Sequence, residues 1–268
     1  MSNPYRYRRI ALASASLLAL IIWLLTSPAS FELDYSTPVD HQPSAQQNSD
    51  PSTENFTPNS GANSENHSSK TPLATEVLKR LTIKGRAPKT GYTRSAFYDR
   101  WPTIKGCSLR QRIIKRELGD TAILNSDNQC TVISGEFTEP YTGTHLIFTS
   151  PSEFAKKIQI DHVVALSDAW QKGAQYLSPN IRFQIATDPL NLLAVDSSAN
   201  QQKGDGDAAT WLPPNKAFRC QYVARQVSVK YKYTLSVTQA EHDAIARILA
   251  TCPTEPAIGV SLASAPTP

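Results

Sequence analysis

An aspartate and a histidine stand side by side in the run Ile160-Asp161-His162-Val163-Val164. The apolar neighbours indicate a strand, on which adjacent side chains project to different sides. The carboxylate can therefore hold a metal ion while the imidazole faces a water molecule. A neutral histidine near pH 7 is suited to removing a proton from that water. The alternative is a polar pair on an edge strand without any chemistry.

Two asparagines follow the Asp-His pair. Asn191 precedes the apolar pair Leu192-Leu193, and Asn200 comes nine residues later. An asparagine at the start of a helix can reach back to the metal ion that Asp161 would hold. Carboxylate and amide oxygens suit a hard cation such as Mg²⁺ or Mn²⁺. Taken singly, Asn191 could be a turn residue and Asn200 a helix cap, with Lys203 as a solvated lysine.

The surrounding sequence predicts the elements that carry these residues. A strand is expected from residue 157, a second strand over 190–195, and a helix that opens at Ala199 and is limited by Gly204. Similar patterns predict a helix over 109–118, paired strands at 131–137 and 145–148, and a capped helix over 238–250. This mixture without any internal repeat indicates an α+β fold.

The composition is that of a globular protein with an export segment. The chain has 268 residues, of which 40% are apolar and 19% charged. It has no Gly repeat, no long heptad pattern and one long apolar run, which excludes collagen-like, coiled-coil and polytopic membrane proteins. Arginines at positions 6, 8 and 9 precede the apolar run from Ile10 to Leu25. We expect residues 1–30 to be a signal peptide or an uncleaved membrane anchor, with the remaining chain outside the cytoplasm.

The rest of the chain divides into a linker, one domain and a tail. Residues 31–75 are rich in Ser, Thr, Asn, Pro and Gln, which predicts a disordered linker, and residues 254–268 predict a disordered tail. The stretch 76–253 is long enough to bury a core. From residue 76 onward there are 23 basic and 17 acidic side chains. This positive charge suits a polyanionic partner, and it is equally typical of a solvated basic face.

Four cysteines, Cys107, Cys130, Cys220 and Cys252, lie in the predicted domain. The absence of a Cys-x-x-Cys pair argues against structural zinc. An even number of cysteines in an exported chain predicts two disulfides, with free buried thiols as the alternative. Four cysteines allow three different disulfide pairings. We prefer Cys107–Cys130 with Cys220–Cys252, because each bond closes a short loop beside the central segment.

The ordered set Asp-His-Val-Val at 161–164, Asn-Leu at 191–192 and Asn-x-x-Lys at 200–203 resembles the HNH, or ββα-metal, endonucleases. More narrowly, the sequence is similar to the HNH family related to the C-terminal domain of the GmrSD-type restriction endonucleases, in its exported form. The resemblance implies a ββα-metal (HNH) core embedded in a single disulfide-stapled α+β domain with additional helices. About 28 residues, with an inserted helix, separate His162 from Asn191, which leaves the motif order intact.

The resemblance also implies a role for each matched residue. His162 would be the general base, and Asp161 a ligand of one Mg²⁺ or Mn²⁺ ion. Asn200 would be the second protein ligand of that ion. Asn191 would be the central asparagine of the catalytic motif, whose side chain fastens the loop between strand and helix. Lys203 would meet phosphate.

The function implied is that of an exported, metal-dependent endonuclease that cleaves DNA, or RNA as an alternative, with little sequence specificity. Three basic residues on the helix predicted over 109–118 would contact phosphates without reading bases: Arg110, Arg112 and Lys115. We expect a monomer that contacts a membrane only through an uncleaved N-terminal segment. The rival interpretation is a catalytically silent module at the cell surface that binds nucleic acid or wall polymer. That module would explain the basic charge and the cysteines, but not the spacing of the Asp, His and Asn residues.

Overall fold

The computed structural model describes residues 71–262 of the chain. The predicted signal peptide or anchor at 1–30, most of the predicted linker and residues 263–268 lie outside the described residues. Within the described range the fold is mixed α+β, as the sequence predicts. None of the helices in this range is long and apolar enough to span a bilayer.

The described chain contains eight α-helices and seven short strands. The helices are α1 (Ala74–Leu78), α2 (Leu109–Leu118), α3 (Pro151–Lys157), α4 (Leu166–Gln171), α5 (Pro179–Thr187), α6 (Ser197–Lys203), α7 (Arg219–Lys232) and α8 (Gln239–Leu249). The strands are β1 (Thr103–Ile104), β2 (Cys107–Ser108), β3 (Ile123–Leu124), β4 (Val132–Thr138), β5 (His145–Phe148), β6 (Ile158–His162) and β7 (Leu192–Asp196). They form three antiparallel sheets, β1–β2, β3–β4–β5 and β6–β7.

The β6–β7 pair and helix α6 form one local unit. The two strands pair along their full length, with Asp161 opposite Leu193. Strand β7 leads directly into α6, because the Asp196 carboxylate accepts a hydrogen bond from the backbone N–H of Ala199 at 2.8 Å and caps the helix. Gly204 ends α6 with a φ of +54°, a conformation that glycine adopts without steric cost. The strand–strand–helix order agrees with the elements predicted for this region.

The connection between β6 and β7 differs from the single inserted helix that the sequence predicts. It contains two α-helices, α4 and α5. Gly173, with a φ of +126°, follows the end of α4, and the Ser178 hydroxyl accepts a hydrogen bond from the backbone N–H of Ile181 to cap α5. Pro179 occupies the first turn of α5, where its missing N–H costs nothing. Serine and proline are also common in loops, so Ser178 and Pro179 do not by themselves distinguish the start of a helix from a loop.

The largest cluster of buried apolar side chains, called the larger core, is built around helix α7. The buried side chains of this helix include Tyr222, Val223 and Val227, and the helix packs against α1 and α8. This helix is not predicted from the sequence, because Gln226 and Lys230 interrupt its apolar pattern. Both are nevertheless buried, and both have hydrogen-bond partners there.

The folded domain extends beyond the predicted limits of 76–253 at both ends. Leu73 forms an isolated bridge with Pro256, and the backbone N–H of Ala257 donates to the carbonyl of Pro72 at 2.8 Å. Ala74 and Ala257 are buried in the core. Composition does not show this pairing, because alanine and proline are also common in linkers and the two segments meet only in the folded chain.

Both predicted disulfides are confirmed. Cys107 is bonded to Cys130, and Cys220 is bonded to Cys252. The first bond ties the β1–β2 hairpin to the loop before β4. The second joins the start of α7 to the residues that follow α8, so that it fixes the two helices of the larger core to each other.

Six buried or half-buried charges form an ion network beneath α4, α7 and α8. Its members are three cations and three carboxylates: Arg86, Lys172, Lys230, Asp168, Asp207 and Glu241. The ammonium group of Lys172 lies 2.6 Å from Asp168, 2.8 Å from Asp207 and 2.6 Å from Glu241. Because equal numbers of opposite charges meet, the network leaves no net charge in the interior.

The network makes the fold sensitive to acid. Burial by itself would raise the pKa of Asp207, but the hydrogen bonds and charges of Lys172 and Arg86 outweigh burial and hold this pKa well below its ordinary value. A carboxyl whose pKa is lower in the folded state stabilises the fold above its unfolded pKa of about 3.9, and this contribution is lost as the pH falls through the folded value.

We therefore expect Asp207→Asn to destabilise the protein at pH 7, and the difference from wild type to shrink once the pH falls below about 4. Urea unfolding at pH 7, 5, 4 and 3 measures this difference. Asp127→Asn, on an exposed loop, is the matched control and should follow the wild type throughout. A difference between Asp207→Asn and wild type that is the same at pH 3 as at pH 7 would contradict the role of the charge.

Candidate functional site

Asp161 and His162 end strand β6 at a small cleft of about 200 Å³. Asn200 of α6 lines the same cleft. Its remaining wall includes Tyr92 and Arg94, which belong to the segment before α2. The structure therefore brings three of the predicted site residues to one cavity and adds two that the sequence did not single out.

The imidazole of His162 is held in one orientation. Its Nε2 lies 2.9 Å from the carbonyl oxygen of Ala186, which can only accept, so Nε2 carries the hydrogen. The Trp101 ring is stacked against the imidazole, with centroids 5.9 Å apart and planes 6° apart, and the Tyr98 ring lies 5.9 Å away. With Nε2 fixed as the donor, Nδ1 is left as the proton acceptor.

His162 is neutral at physiological pH. Burial lowers its pKa to about 3, and the positive charges of Arg94 and Lys203 act in the same direction, whereas the hydrogen bond to Ala186 opposes them. A neutral imidazole with an unprotonated Nδ1 can accept a proton from a water molecule.

Both carboxylate oxygens of Asp161 have partners. Oδ1 lies 3.0 Å from the ammonium group of Lys203, and Oδ2 accepts a hydrogen bond from the hydroxyl of Tyr141. The Asp161 side chain is 7% exposed, so its charge is balanced by a buried partner rather than by solvent.

The structure contradicts the predicted contact between Lys203 and phosphate. The Lys203 side chain is fully buried, and its ammonium group donates to Asp161 and, at 2.8 Å, to the carbonyl of His162. The reason is helical geometry, since residues three apart share a face. Lys203 therefore lies on the same side of α6 as Asn200, and this side packs against β6.

Asn191 fastens the loop and has no group left for a substrate. Its Oδ1 accepts from the backbone N–H of Val164 at 2.8 Å, and its Nδ2 donates to the carbonyls of Ile185 and Val164 at 3.0 and 3.3 Å. The side chain is completely buried. It connects the end of β6 to the end of α5 and so holds the segment that supplies the carbonyl partner of His162.

Asn200 lines the cleft with an amide side chain that is only partly engaged. Its Nδ2 donates to Oε1 of Gln159 at 2.9 Å, and its Oδ1 takes part in no hydrogen bond within residues 71–262. Gln159 and Asp161 are two residues apart on β6 and hence share a face. Because Asn200 contacts Gln159, it lies beside this face. The carboxylate of Asp161 and the amide oxygen of Asn200 are the kinds of ligand that a hard cation such as Mg²⁺ or Mn²⁺ prefers. The described residues contain no cluster of three or more His, Cys, Asp or Glu that could hold a metal.

The three basic residues predicted to contact phosphates lie on α2, as expected, but the described wall of the cleft includes none of them. Helix α2 packs Leu109 and Ile113 against Leu192 of β7. Arg112 and Lys115 are exposed to solvent, whereas burial lowers the pKa of Arg110. Because none of the three lines the described cleft, their contact with phosphate stays a prediction.

A neighbouring arginine has a positioning role that the sequence analysis missed. Arg116 donates to the carbonyls of Pro189 and Leu192, at 2.8 and 2.6 Å. These two carbonyls flank Asn191 in the chain. The signal available in the sequence was only a basic run on one helix, which does not distinguish a backbone anchor from a solvated side chain.

Comparison of the chain with known proteins gives a match to one family model and a match to one fungal protein. The family model described as GmrSD restriction endonucleases, C-terminal domain, matches residues 109–248. A protein of Arthroderma benhamiae described as "Uncharacterized secreted protein" is 37% identical over 182 residues, covering 67% of this chain and 84% of that protein. No solved structure gives a significant match. The matched range contains Asp161, His162, Asn191 and Asn200, whereas Arg94 precedes it.

Proposed function

Because the chain belongs to the family of GmrSD restriction endonuclease C-terminal domains, we propose that it is a metal-dependent endonuclease that hydrolyses phosphodiester bonds of DNA at the cleft beside His162. The observation that carries the proposal is the geometry of His162. Its ring is stacked against Trp101 and its Nε2–H is donated to Ala186, so Nδ1 is the nitrogen left to accept a proton, and the residue lines one cleft together with Asp161 and Asn200.

In the proposed reaction Nδ1 of His162 removes a proton from a water molecule. The water oxygen forms a bond to phosphorus, the bond between phosphorus and the 3′ oxygen breaks, and the departing 3′ oxygen takes up a proton from solvent, so the products carry 5′-phosphate and 3′-hydroxyl ends. The imidazolium that forms is stabilised by the carbonyl of Ala186, which accepts its Nε2–H. Asp161 and Asn200 would hold a Mg²⁺ or Mn²⁺ ion, which supplies charge stabilisation at the phosphate when bound.

One observation favours the alternative of a silent binding module. Both oxygens of Asp161 are already engaged, one by Lys203 and the other by Tyr141. An ion at this carboxylate has to share it with an ammonium group, which weakens binding by charge repulsion. A protein in which Lys203 permanently neutralises Asp161 would bind nucleic acid without cutting it.

The full chain incubated with supercoiled plasmid separates these functions. We expect nicked and linear DNA with Mg²⁺ or Mn²⁺, and no cleavage in EDTA. A structured RNA in parallel reactions tests the second substrate. Fragment ends that ligate without prior treatment indicate a 5′-phosphate and a 3′-hydroxyl. Binding of the plasmid without cleavage at any metal concentration would favour the binding module.

We also propose that the protein functions outside the cytoplasm. The two disulfides favour an oxidising compartment, and the apolar run from Ile10 to Leu25 is typical of an export signal. The relative described as secreted supports the same conclusion. N-terminal sequencing of protein recovered from the producing cells distinguishes a cleaved signal from a membrane anchor.

Removing Asn200 should weaken metal binding and catalysis together. We expect Asn200→Ala to lower the apparent affinity for Mg²⁺ by roughly 10–100-fold, because the amide oxygen is one of two proposed protein ligands. Titration calorimetry with Mn²⁺ measures the affinity without relying on cleavage, and excess Mg²⁺ should restore part of the rate. Gln201→Ala, an exposed neighbour on α6, is the matched control. Unchanged Mn²⁺ affinity in Asn200→Ala would remove Asn200 from the metal site.

A further inference from the structure

One wall of the cleft carries a positive charge that has no carboxylate partner. Arg94 is exposed, and among the described residues that line the cleft it has the only guanidinium or ammonium group. No carboxylate of the described chain forms an ion pair with it. This charge therefore faces the cavity without being neutralised by the protein.

The carboxylates of the cleft are, in contrast, already balanced. Asp161 is paired with Lys203 at 3.0 Å, and Asp205 is paired with Lys89 at 2.9 Å. Among the carboxylate, ammonium and guanidinium groups of the described cleft and their partners, Arg94 is thus the one left without an opposite charge. A cavity with this balance attracts an anionic group.

The Arg94 guanidinium is held in place before any ligand arrives. It donates a hydrogen bond to the hydroxyl of Tyr98, and its Cζ lies 5.0 Å from the centroid of the same ring. Tyr98 is 7% exposed and packs against His162. A single buried tyrosine therefore links the guanidinium to the proposed general base.

The segment that carries Arg94 is anchored to the domain on both sides. The backbone N–H of Ala87 donates to the carbonyl of Gln171 at 2.8 Å, and the guanidinium of Arg182 donates to the carbonyl of Ala96 at 2.8 Å. Phe97 is buried in the core formed with α4 and α5. Pre-organisation of this kind lowers the entropy that a side chain loses when it binds a ligand.

We propose that Arg94 binds the non-bridging oxygens of the phosphate group that is cleaved, and that it is a catalytic residue supplied from outside the region matched by the family model. The planar guanidinium presents two parallel N–H donors that match the spacing of phosphate oxygens. It stabilises the negative charge that increases on these oxygens during attack. This inference rests on the proposed nuclease function.

The test uses the full chain with a fluorescent duplex oligonucleotide in the presence of Mg²⁺. Removing one pre-organised donor to the reacting group typically costs about 10²–10³-fold in rate, so we expect Arg94→Ala to lower kcat/KM at least 100-fold. Arg94→Lys should recover part of this loss, because it keeps the charge but not the planar pair of donors. Binding in EDTA should show a log–log salt slope reduced by about 1.

Arg100→Ala is the matched control, because Arg100 is an exposed arginine of the same segment and does not line the described cleft. It should stay within about threefold of wild type in kcat/KM, since exposed cations act only through the general charge. Thermal melts check that each variant is folded. If wild type cleaves and folded Arg94→Ala cleaves within threefold of it, Arg94 does not bind the reacting phosphate. If wild type itself does not cleave, the proposed function fails, and an unchanged salt slope in Arg94→Ala then overturns the phosphate contact as well.

Discussion

Replacing His162 by alanine is expected to lower the rate of phosphodiester cleavage by about 10²–10⁴-fold while binding of nucleic acid stays close to wild type. The reason is that Nδ1 acts in the chemical step, whereas affinity comes from cations spread over the surface. Single-turnover cleavage of a labelled duplex measures the rate, and fluorescence anisotropy in EDTA measures the binding.

The control for this variant is His145→Ala. His145 is an exposed histidine on β5 that lies 3.4 Å from Glu136 and does not line the described cleft. Its loss should leave the cleavage rate within about twofold of wild type. Because His162 packs against two aromatic rings, thermal melts of His162→Ala must show a folded protein, and His162→Gln provides a bulkier substitute. If either folded variant retains more than about a tenth of the wild-type rate, His162 is not the general base.

Replacing Lys172 by methionine is expected to reduce the free energy of unfolding by about 3–5 kcal/mol. The ammonium group of Lys172 is fully buried and lies within 2.8 Å of three carboxylates. Methionine fills a similar volume but leaves excess negative charge in the interior, where desolvated carboxylates repel one another. Urea unfolding followed by circular dichroism at pH 7 measures the change.

Lys157→Met is the matched control, because Lys157 pairs with Glu153 at the surface, 3.7 Å away. Solvent screens such a pair, so its loss should leave the urea midpoint nearly unchanged. The double variant Lys172→Met/Glu241→Gln restores equal numbers of cations and carboxylates in the network and should be more stable than Lys172→Met alone. A Lys172→Met protein that unfolds at the wild-type urea concentration would show that the network contributes nothing to stability.

Much of the fold could be predicted from local patterns. Helix α2 occupies the predicted residues, and α8 begins after Thr238, whose hydroxyl accepts a hydrogen bond from the backbone N–H of Glu241 as a capping residue should. The Glu241 carboxylate does not complete the cap in return, because it pairs with Lys172 and Lys230 instead. A cap depends on neighbours in the chain, whereas these lysines are contributed by other helices.

The same division holds within the site. The order of Asp161, His162, Asn191 and Asn200 is visible in the sequence, and so is the strand–strand–helix unit that brings them together. The prediction that Lys203 contacts phosphate was wrong, although its spacing from Asn200 predicts that the two residues share a helix face. What could not be foreseen is that this face would pack against β6 and direct the ammonium group to Asp161.

The sequence by itself predicted an export signal at the N-terminus, favoured the cysteine pairing that the structure shows and supplied the residues of the Asp-His-Asn motif. These features depend on composition, spacing and short-range periodicity, which are properties of neighbouring residues. Only the tertiary structure decided that Arg94 lines the cleft, that Trp101 is stacked against His162, and that Lys172 balances three carboxylates. Arg94 and Trp101 are far from His162 in the chain, and two of the three carboxylates around Lys172 come from distant segments. Their free energy comes from the burial of charge and aromatic surface, which exists only once the whole domain has packed.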